Sequence, residues 1–191
     1  MQSLPEGYEI REMNHEEFNP LWQKRAKEVF DETSIFSLME ALSEAEKSKM
    51  ADLAKQMGEL FLLRLGLFYR GEFVGWASGG QESKETFYMR NSAILPAHRR
   101  KGLYTQLMSR VLEIVTERGF QKIYSRHTTA NNAVIIPKLK AGFVITSIEI
   151  SDIFGALVHL SYFPNPIRFK MMNYRTGEIK PDDEIKKYLK I

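Results

Sequence analysis

The apolar positions of the first half of the chain predict a strand, two helices and three further strands. Residues 8–13 alternate polar and apolar side chains like a short strand, and residues 16–30 carry an apolar stripe at helical spacing. Residues 36–57 are predicted to form a second helix of mixed face, which Gly58 ends. The next strands are predicted at residues 60–69, 73–78 and 86–95, with a bulge or turn at Gly79-Gly80.

The second half alternates helix and strand. A stripe from Leu103 to Val115 predicts a helix ending at Gly119, followed by a strand at 122–127 and a shorter helix at 131–141. Two strands at 143–150 and 156–163 complete the sheet, and Pro181 opens a last short helix. This order predicts an α/β fold: a mixed, mostly antiparallel sheet of about seven strands with helices on both faces. We expect one domain over residues 1–163, with residues 164–191 as its accessory tail.

Composition narrows the function classes. A chain of 191 residues with 43% apolar side chains can bury one sizeable core, and a net charge of +3 with interleaved acids argues against a nucleic-acid partner. The absence of cysteine excludes disulfides, thiolate zinc sites and a thiol acyl-enzyme, and fits the reducing cytoplasm best. No apolar run approaches a membrane-spanning length. His15 and His159 have no evident ligand partners, so we expect no metal.

A basic turn precedes the helix that begins near Leu103. His98 and the three basic residues after it lie where a helix N-terminus is already partly positive, and a bound anion would resolve this conflict. Gly102 lets the backbone approach a ligand, and the N–H groups through Thr105 can converge on two adjacent phosphates. The alternative is a solvated basic loop. Neither a P-loop nor a dinucleotide-binding fingerprint occurs in the chain.

Residues 94–104, with the sequence ILPAHRRKGLY, resemble the central acetyl-CoA motif of the GNAT superfamily, V-x-P-x-x-[RQ]-x-x-G-x-[GA]. Arg99 and Gly102 match the motif, whereas Tyr104 stands where the family prefers Gly or Ala. Downstream, Asn131 and the stretch ending in Gly142-Phe143 resemble the second motif of the family, in which an Asn begins a helix and Gly-Phe ends it.

The resemblance implies an N-acetyltransferase that moves an acetyl or other acyl group from acetyl-CoA to an amine by direct attack in a ternary complex. In the family the two central strands splay, and the pantetheine arm enters the gap between them. Backbone groups of Ile94 and Leu95 would then contact the arm and the thioester, which also makes Ile94 a catalytic candidate. The implied cofactor-binding residues are Ile94, Leu95, Arg99, Arg100, Lys101, Gly102, Leu103, Tyr104, Thr105 and Asn131.

The sequence does not identify a general base or a general acid unambiguously. His127 is the first candidate for a catalytic base, because histidine is the side chain that titrates near neutral pH, although it also suits a role in ordering the 128–132 loop. Glu82 and Glu85 are alternative bases acting through water. The tyrosine that often serves as general acid in the family corresponds to Lys138, which could protonate a thiolate, contact a cofactor phosphate or face solvent. Pro137 should bend or delay its helix.

Tyr88 and Tyr124 alternate along predicted strands and are expected to be packing residues. The acceptor itself is not specified: a small-molecule or peptide amine remains open, as does a homodimer. Two other functions compete. One is a non-catalytic acyl-CoA-binding or regulatory protein, suggested by Tyr104 and Lys138 at their unusual positions; the other is a nucleic-acid-binding module using the basic loop.

Overall fold

The computed structural model describes residues 3–30 and 38–191, which form one seven-stranded sheet with flanking helices. The strands lie in the order β1-β2-β3-β4-β5-β7-β6. Their bounds are β1 Tyr8–Glu12, β2 Leu62–Tyr69, β3 Glu72–Gln81, β4 Thr86–Ile94, β5 Lys122–Thr128, β6 Val144–Ser151 and β7 Gly155–Tyr162. The helices are α1 His15–Ala26, α2 Leu38–Ala41, α3 Glu44–Gln56, α4 Leu103–Glu117, α5 Asn132–Lys140, α6 Pro166–Arg175 and α7 Asp183–Leu189.

The two central strands diverge. Strands β4 and β5 form the parallel pair of the sheet, and their pairing covers three positions, ending at Tyr88 opposite Tyr124. Beyond that point β4 stays paired with β3 as far as Ile94, while β5 stays paired with β7 as far as Thr128. The sheet therefore opens into a wedge between β4 and β5, bounded by backbone whose hydrogen-bonding groups have no strand partner among the described residues.

The hydrophobic core lies between the sheet and its helices. Helix α4 buries the stripe predicted from its sequence, including Leu103, Leu107 and Val111, and packs against β2, β3 and β4. Phe18 of α1 meets Phe73 of β3 edge to face at 6.2 Å between ring centroids. This burial fixes the start of α4 against the end of β4, where the basic turn lies.

The predicted fold class is confirmed, including the mostly antiparallel sheet of seven strands. The bulge predicted at Gly79-Gly80 is present as a register shift between Ser78 and Gly79. Helix α5 runs through Pro137 without the predicted delay.

Three details of the predicted elements are wrong. Helix α1 ends at Ala26, four residues early. The single helix predicted over 36–57 is two helices, because Ser43 caps α3 in a capping box with Glu46 and so starts a new helix; residues 36 and 37 lie outside the described residues. Helix α6 was not predicted, although Asn165 caps it and Pro166 occupies its first turn.

Residues 164–191 pack against the sheet domain. Arg168 of α6 donates to the Glu85 carboxylate at 3.2 Å and to the Gln121 carbonyl at 3.1 Å, while Ile185 of α7 is fully buried. The Arg168 contacts join the tail to the end of the sheet where β4 and β5 begin, opposite the open end of the wedge. Among the described residues, no helix is both long enough and apolar enough to cross a membrane.

Candidate active site

A cavity of about 670 Å³ opens where the starts of α4 and α5 approach the end of β4. Val29 and Phe30, which follow α1, form one of its walls. Its lining from β4 and the basic turn is Ser92, Ala93, Ile94, His98, Arg99, Arg100 and Gly102. Its lining from the two helices is Leu103, Tyr104, Thr105, Asn131, Ala133, Val134 and Pro137.

The basic turn presents bare backbone N–H groups to this cavity. Arg100 and Gly102 both have positive φ, at 62° and 74°, and Gly102 opens α4 without a side-chain cap. Within the described part of the chain, the N–H groups of Leu103, Tyr104 and Thr105 have no hydrogen-bond acceptor. A Cβ placed on Gly102 would meet nothing within 4 Å. The space in front of the helix N-terminus is therefore free for an anion.

Three side-chain hydrogen bonds hold the turn in place. The Arg99 Nε donates to the Ile94 carbonyl at 2.9 Å, and the Tyr8 hydroxyl is paired with His98 Nδ1 at 2.8 Å. The Lys101 Nζ donates to the same Tyr8 hydroxyl at 3.1 Å. Lys101 is thereby drawn toward β1 and does not line the cavity, so its contribution to anion binding is limited to its charge and its backbone.

The edge of β4 offers Ile94 rather than Leu95 to a ligand. The Leu95 N–H donates to the Val74 carbonyl at 2.9 Å, and the Leu95 carbonyl accepts from His98 N–H at 2.9 Å. Because backbone groups alternate in direction along an antiparallel strand, the N–H groups of Ile94 and Ser92 point away from β3 and into the wedge. The expectation for Ile94 suits this geometry, whereas the Leu95 backbone is already engaged.

Helix α5 supplies polar groups to the other side of the cavity. Asn131 precedes the helix, its side chain makes no cap hydrogen bond, and it lines the cavity. Pro137 has no N–H to donate to the Ala133 carbonyl one turn earlier, and both residues line the cavity. The first turn of α5 therefore presents a side-chain amide and a backbone acceptor.

Lys138 is buried, with 1% of its surface exposed, and so does not have the solvent-facing position that the sequence left open. Its Nζ lies 3.2 Å from the Met89 sulfur and 4.3 Å from the centre of the Phe143 ring. Burial lowers the pKa of Lys138 to about 7. Met89 comes directly after the last residue of β4 that pairs with β5. The Lys138 amine therefore lies at the base of the wedge, where it can carry or release a proton near neutral pH.

His127 lies beside Lys138. The sequence predicted a pKa near neutral for His127, and the structure corrects this prediction. Burial, followed by the charge of Lys138, lowers the pKa of His127 to about 4. Its Nε2 is 2.8 Å from the Ser125 hydroxyl. His127 does not line the cavity, and it is uncharged at neutral pH.

The opposite face of the sheet at the wedge carries a polar and aromatic network. Residues adjacent on a strand point to opposite faces, so Tyr88 and Tyr124 lie on the face away from Met89 and Lys138. Their rings stack with centroids 4.9 Å apart, as the packing interpretation expected. The Tyr124 hydroxyl donates to the Glu82 carboxylate at 2.6 Å. Burial, followed by this hydrogen bond, raises the pKa of Tyr124.

Three further residues extend this network. Arg126 Nε donates to the Tyr88 hydroxyl at 3.2 Å and its Nη1 to the Glu149 carboxylate at 3.1 Å, and His159 Nε2 is 2.5 Å from the same carboxylate. The proposed alternative bases are thus both engaged, Glu82 with Tyr124 and Glu85 with Arg168. No cluster of three or more potential metal ligands occurs in the part of the chain that the structure describes.

The structure brings most of the predicted cofactor residues around one cavity. Leu95, Lys101 and His127 do not line it. Sequence reasoning missed Ser92, which lies two residues before Ile94 and faces the same side; strand alternation was the signal that could have found it. It also missed Val29 and Phe30, which only the packing of α1 brings to the site.

The arrangement fits a ligand with adjacent phosphates and an extended polar arm. Bare N–H groups, a left-handed glycine and flanking arginines form one end, and unpaired strand backbone with Asn131 forms the other. The model of the Acetyltransferase (GNAT) family matches residues 8–143. The chain belongs to this family. No curated protein matches the chain significantly.

Solved structures of GNAT proteins share the fold at low sequence identity. YncA from Salmonella typhimurium, solved with its cofactor acetyl-CoA, is 17% identical with a TM-score of 0.61, covering 83% of this chain and 95% of its own. The ribosomal-protein-S18-alanine N-acetyltransferase from Escherichia coli is 18% identical with a TM-score of 0.60, covering 82% and 93%. Ard1 from Thermoplasma volcanium is 18% identical with a TM-score of 0.59, covering 82% and 97%.

Proposed function

We propose that this GNAT acetyltransferase transfers the acetyl group of acetyl-CoA to an amine by direct attack in a ternary complex. The observation that supports this most strongly is the uncapped start of α4 at Gly102, which faces the wedge between β4 and β5 across one cavity. The absence of cysteine removes a thiol acyl-enzyme as the alternative route. We also propose that the protein is cytoplasmic, because the sequence contains no cysteine.

Acetyl-CoA supplies an activated acyl thioester. In the proposed arrangement, the N–H groups of residues 103–105 hold its pyrophosphate, with Arg99 and Arg100 adding positive charge. The backbone of Ile94 and the side chain of Asn131 bind the pantetheine arm and orient the thioester. Because these donors are fixed before binding, they can stabilise charge that develops on the acyl oxygen.

Two buried groups on the helical side of the wedge handle protons in this proposal. His127 is neutral at physiological pH and can accept a proton, directly or through water, whereas Lys138 can hold a proton at Nζ for the leaving thiolate. The two side chains are close enough for the Lys138 charge to affect the His127 pKa, so their proton affinities are coupled.

The amine is proposed to enter from the opposite face of the sheet. Tyr88, Tyr124 and Arg126 line the base of the wedge on that face, with Glu82 and Glu149 as the nearby carboxylates. The Glu82 carboxylate, whose partner is the Tyr124 hydroxyl and not a cation, suits a cationic acceptor before its deprotonation. Small-molecule and peptide amines both satisfy this description.

The direct test is an acetyl-CoA turnover screen over a panel of amines, read by release of free thiol. The chain contains no cysteine, so the protein adds no thiol background. We expect amide formation with at least one amine class and a raised melting temperature with saturating acetyl-CoA, since a ligand at a hundred times Kd adds about 2.7 kcal/mol. Unchanged stability and no calorimetric heat would exclude the proposal.

The base assignment predicts a specific pH profile. If His127 accepts the amine proton, the acidic limb of kcat/KM should lie near pH 4, where the pKa of the buried imidazole falls, and not near 6.5. His127→Gln should remove that limb and lower kcat by roughly a hundredfold with little change in acetyl-CoA affinity. A smaller loss with an unaltered profile would assign His127 to ordering the Asn131 loop.

A non-catalytic acyl-CoA-binding protein is the second candidate, favoured by the buried Lys138 and by Tyr104 in the turn. It differs from the enzyme in one measurable respect. Acetyl-CoA would bind and raise the melting temperature, yet no amine in the panel would accelerate thiol release over buffer.

A further inference from the structure

Tyr104 occupies an unusual place in the cavity. It lies in the first turn of α4, its side chain lines the cavity, and its hydroxyl is buried. That hydroxyl meets no acceptor with hydrogen-bond geometry among the described residues, although the Ser92 hydroxyl of β4 is near enough to lower its pKa slightly. Burial dominates and raises the pKa of Tyr104 to about 12. The ring therefore reaches from α4 across to β4.

The orientation of the cavity places this ring at its acyl end. The anion-binding end is at Gly102 and the free N–H groups of α4, and the unpaired β4 edge then runs from Ile94 to Ser92, toward the base of the wedge. A chain that starts at the turn and follows this edge has its distal group near Ser92. The hydroxyl at the tip of Tyr104 is buried, so the ring covers this part of the cavity where it approaches Ser92 of β4.

We propose that the Tyr104 ring closes the acyl end of the cavity and selects short acyl groups, with acetyl preferred over longer chains. This inference rests on the proposed acyl-CoA binding mode and concerns the donor alone. A small side chain at position 104 would leave space beside Ser92 for additional methylene groups. The aromatic ring excludes them by volume, so the hydroxyl has no part in the selection.

Removing the unpaired Tyr104 hydroxyl by substitution distinguishes this selective role from a structural role. A tyrosine kept for a hydrogen bond would lose stability on replacement by phenylalanine, whereas removing an unpaired buried hydroxyl breaks no such bond. We therefore expect Tyr104→Phe to melt at the wild-type temperature or higher and to keep the wild-type acyl preference. Tyr174→Ala, in α6 and away from the cavity, is the matched control for loss of a tyrosine ring.

The experiment measures calorimetric affinities of wild type, Tyr104→Phe, Tyr104→Ala and Tyr174→Ala for CoA, acetyl-CoA, butanoyl-CoA and hexanoyl-CoA. Wild type, Tyr104→Phe and Tyr174→Ala should favour acetyl-CoA. Tyr104→Ala should shift the ratio of butanoyl-CoA to acetyl-CoA affinity by about tenfold or more, because each buried methylene adds roughly fourfold. Circular dichroism of each variant checks that it is folded.

The possible failures are distinguishable. If wild type binds none of the four ligands, the proposed function itself fails. If wild type binds acetyl-CoA but Tyr104→Ala keeps the wild-type ratio, the binding mode stands and Tyr104 does not limit the acyl group. If Tyr104→Phe already accepts longer chains, the hydroxyl and not the ring is responsible, which also overturns the inference.

Discussion

Replacing Gly102 with valine is expected to weaken acetyl-CoA binding by about a hundredfold, or roughly 3 kcal/mol, while the protein stays folded. A Cβ at this position meets no atom of the described residues within 4 Å, so the space beside Gly102 is open in the free protein. That same space is where the pyrophosphate is proposed to lie. The branched side chain would fill it and screen the N–H groups of residues 103–105. Calorimetric titration with acetyl-CoA measures the effect.

Backbone strain is the competing explanation, because φ is 74° at Gly102. Gly102→Ala carries similar strain with less bulk and should lose less affinity than Gly102→Val. Gly119→Val is the matched control: Gly119 has a φ of 95° and open space around its Cβ, but it lies beyond the far end of α4. Equal affinity losses for Gly119→Val and Gly102→Val, or none for the latter, would show that the phosphates bind elsewhere.

Replacing Lys138 with methionine is expected to stabilise the protein by roughly 4 kcal/mol at pH 7, since each pKa unit corresponds to about 1.4 kcal/mol. Burial lowers the pKa of Lys138 from 10.5 to about 7, so the unfolded chain binds a proton that the folded chain releases between these values. The wild-type free energy of unfolding should therefore rise with pH from about 7 toward 10. In Lys138→Met this rise should be absent.

Between about pH 7 and 10, the effect of Lys138 on stability can be separated from that of the other groups with shifted pKa values. The lowered pKa of His127 affects stability below its unfolded value of 6.5, and the raised pKa values of Tyr104 and Tyr124 act above 10. Lys140→Met, which removes an exposed lysine from the same helix, serves as the control and should change stability little. Denaturant unfolding at pH 7, 8 and 9 makes the measurement. If the free energies of unfolding of wild type and Lys138→Met changed in parallel with pH, the pKa of Lys138 would not be lowered by burial.

Local signals in the sequence were sufficient to predict the order of the strands and most helices along the chain, the fold class and the basic turn. The α4 stripe, Gly102 and the basic residues before it are contiguous, so their combined meaning does not depend on distant packing. Two of the errors could have been avoided from local sequence. The Ser43–Glu46 capping box indicates a new helix start, and Asn165-Pro166 indicates the start of α6, but the prediction followed the overall composition of these segments instead.

The chemistry at the wedge could not be predicted in the same way. Whether Lys138 faces solvent or the core depends on how α5 packs across the gap between β4 and β5. The burial of His127, followed by the nearby charge of Lys138, then lowers the pKa of His127, which sequence reasoning placed near neutral. The engagement of Leu95 with Val74 depends likewise on the register of two strands. These properties belong to tertiary contacts.

Binding of the acetyl-CoA pyrophosphate at the start of α4 can be measured directly by a ¹H–¹⁵N correlation titration of the 22.2 kDa protein with acetyl-CoA. We expect the largest amide shifts at residues 102–105, where N–H groups gain phosphate acceptors, with a second set at Ser92, Ile94 and Asn131 along the cavity. Amides of β1 and α7 should stay unchanged. Shifts that leave residues 102–105 unaffected at saturation, or that cluster away from the cavity, would contradict binding at the start of α4.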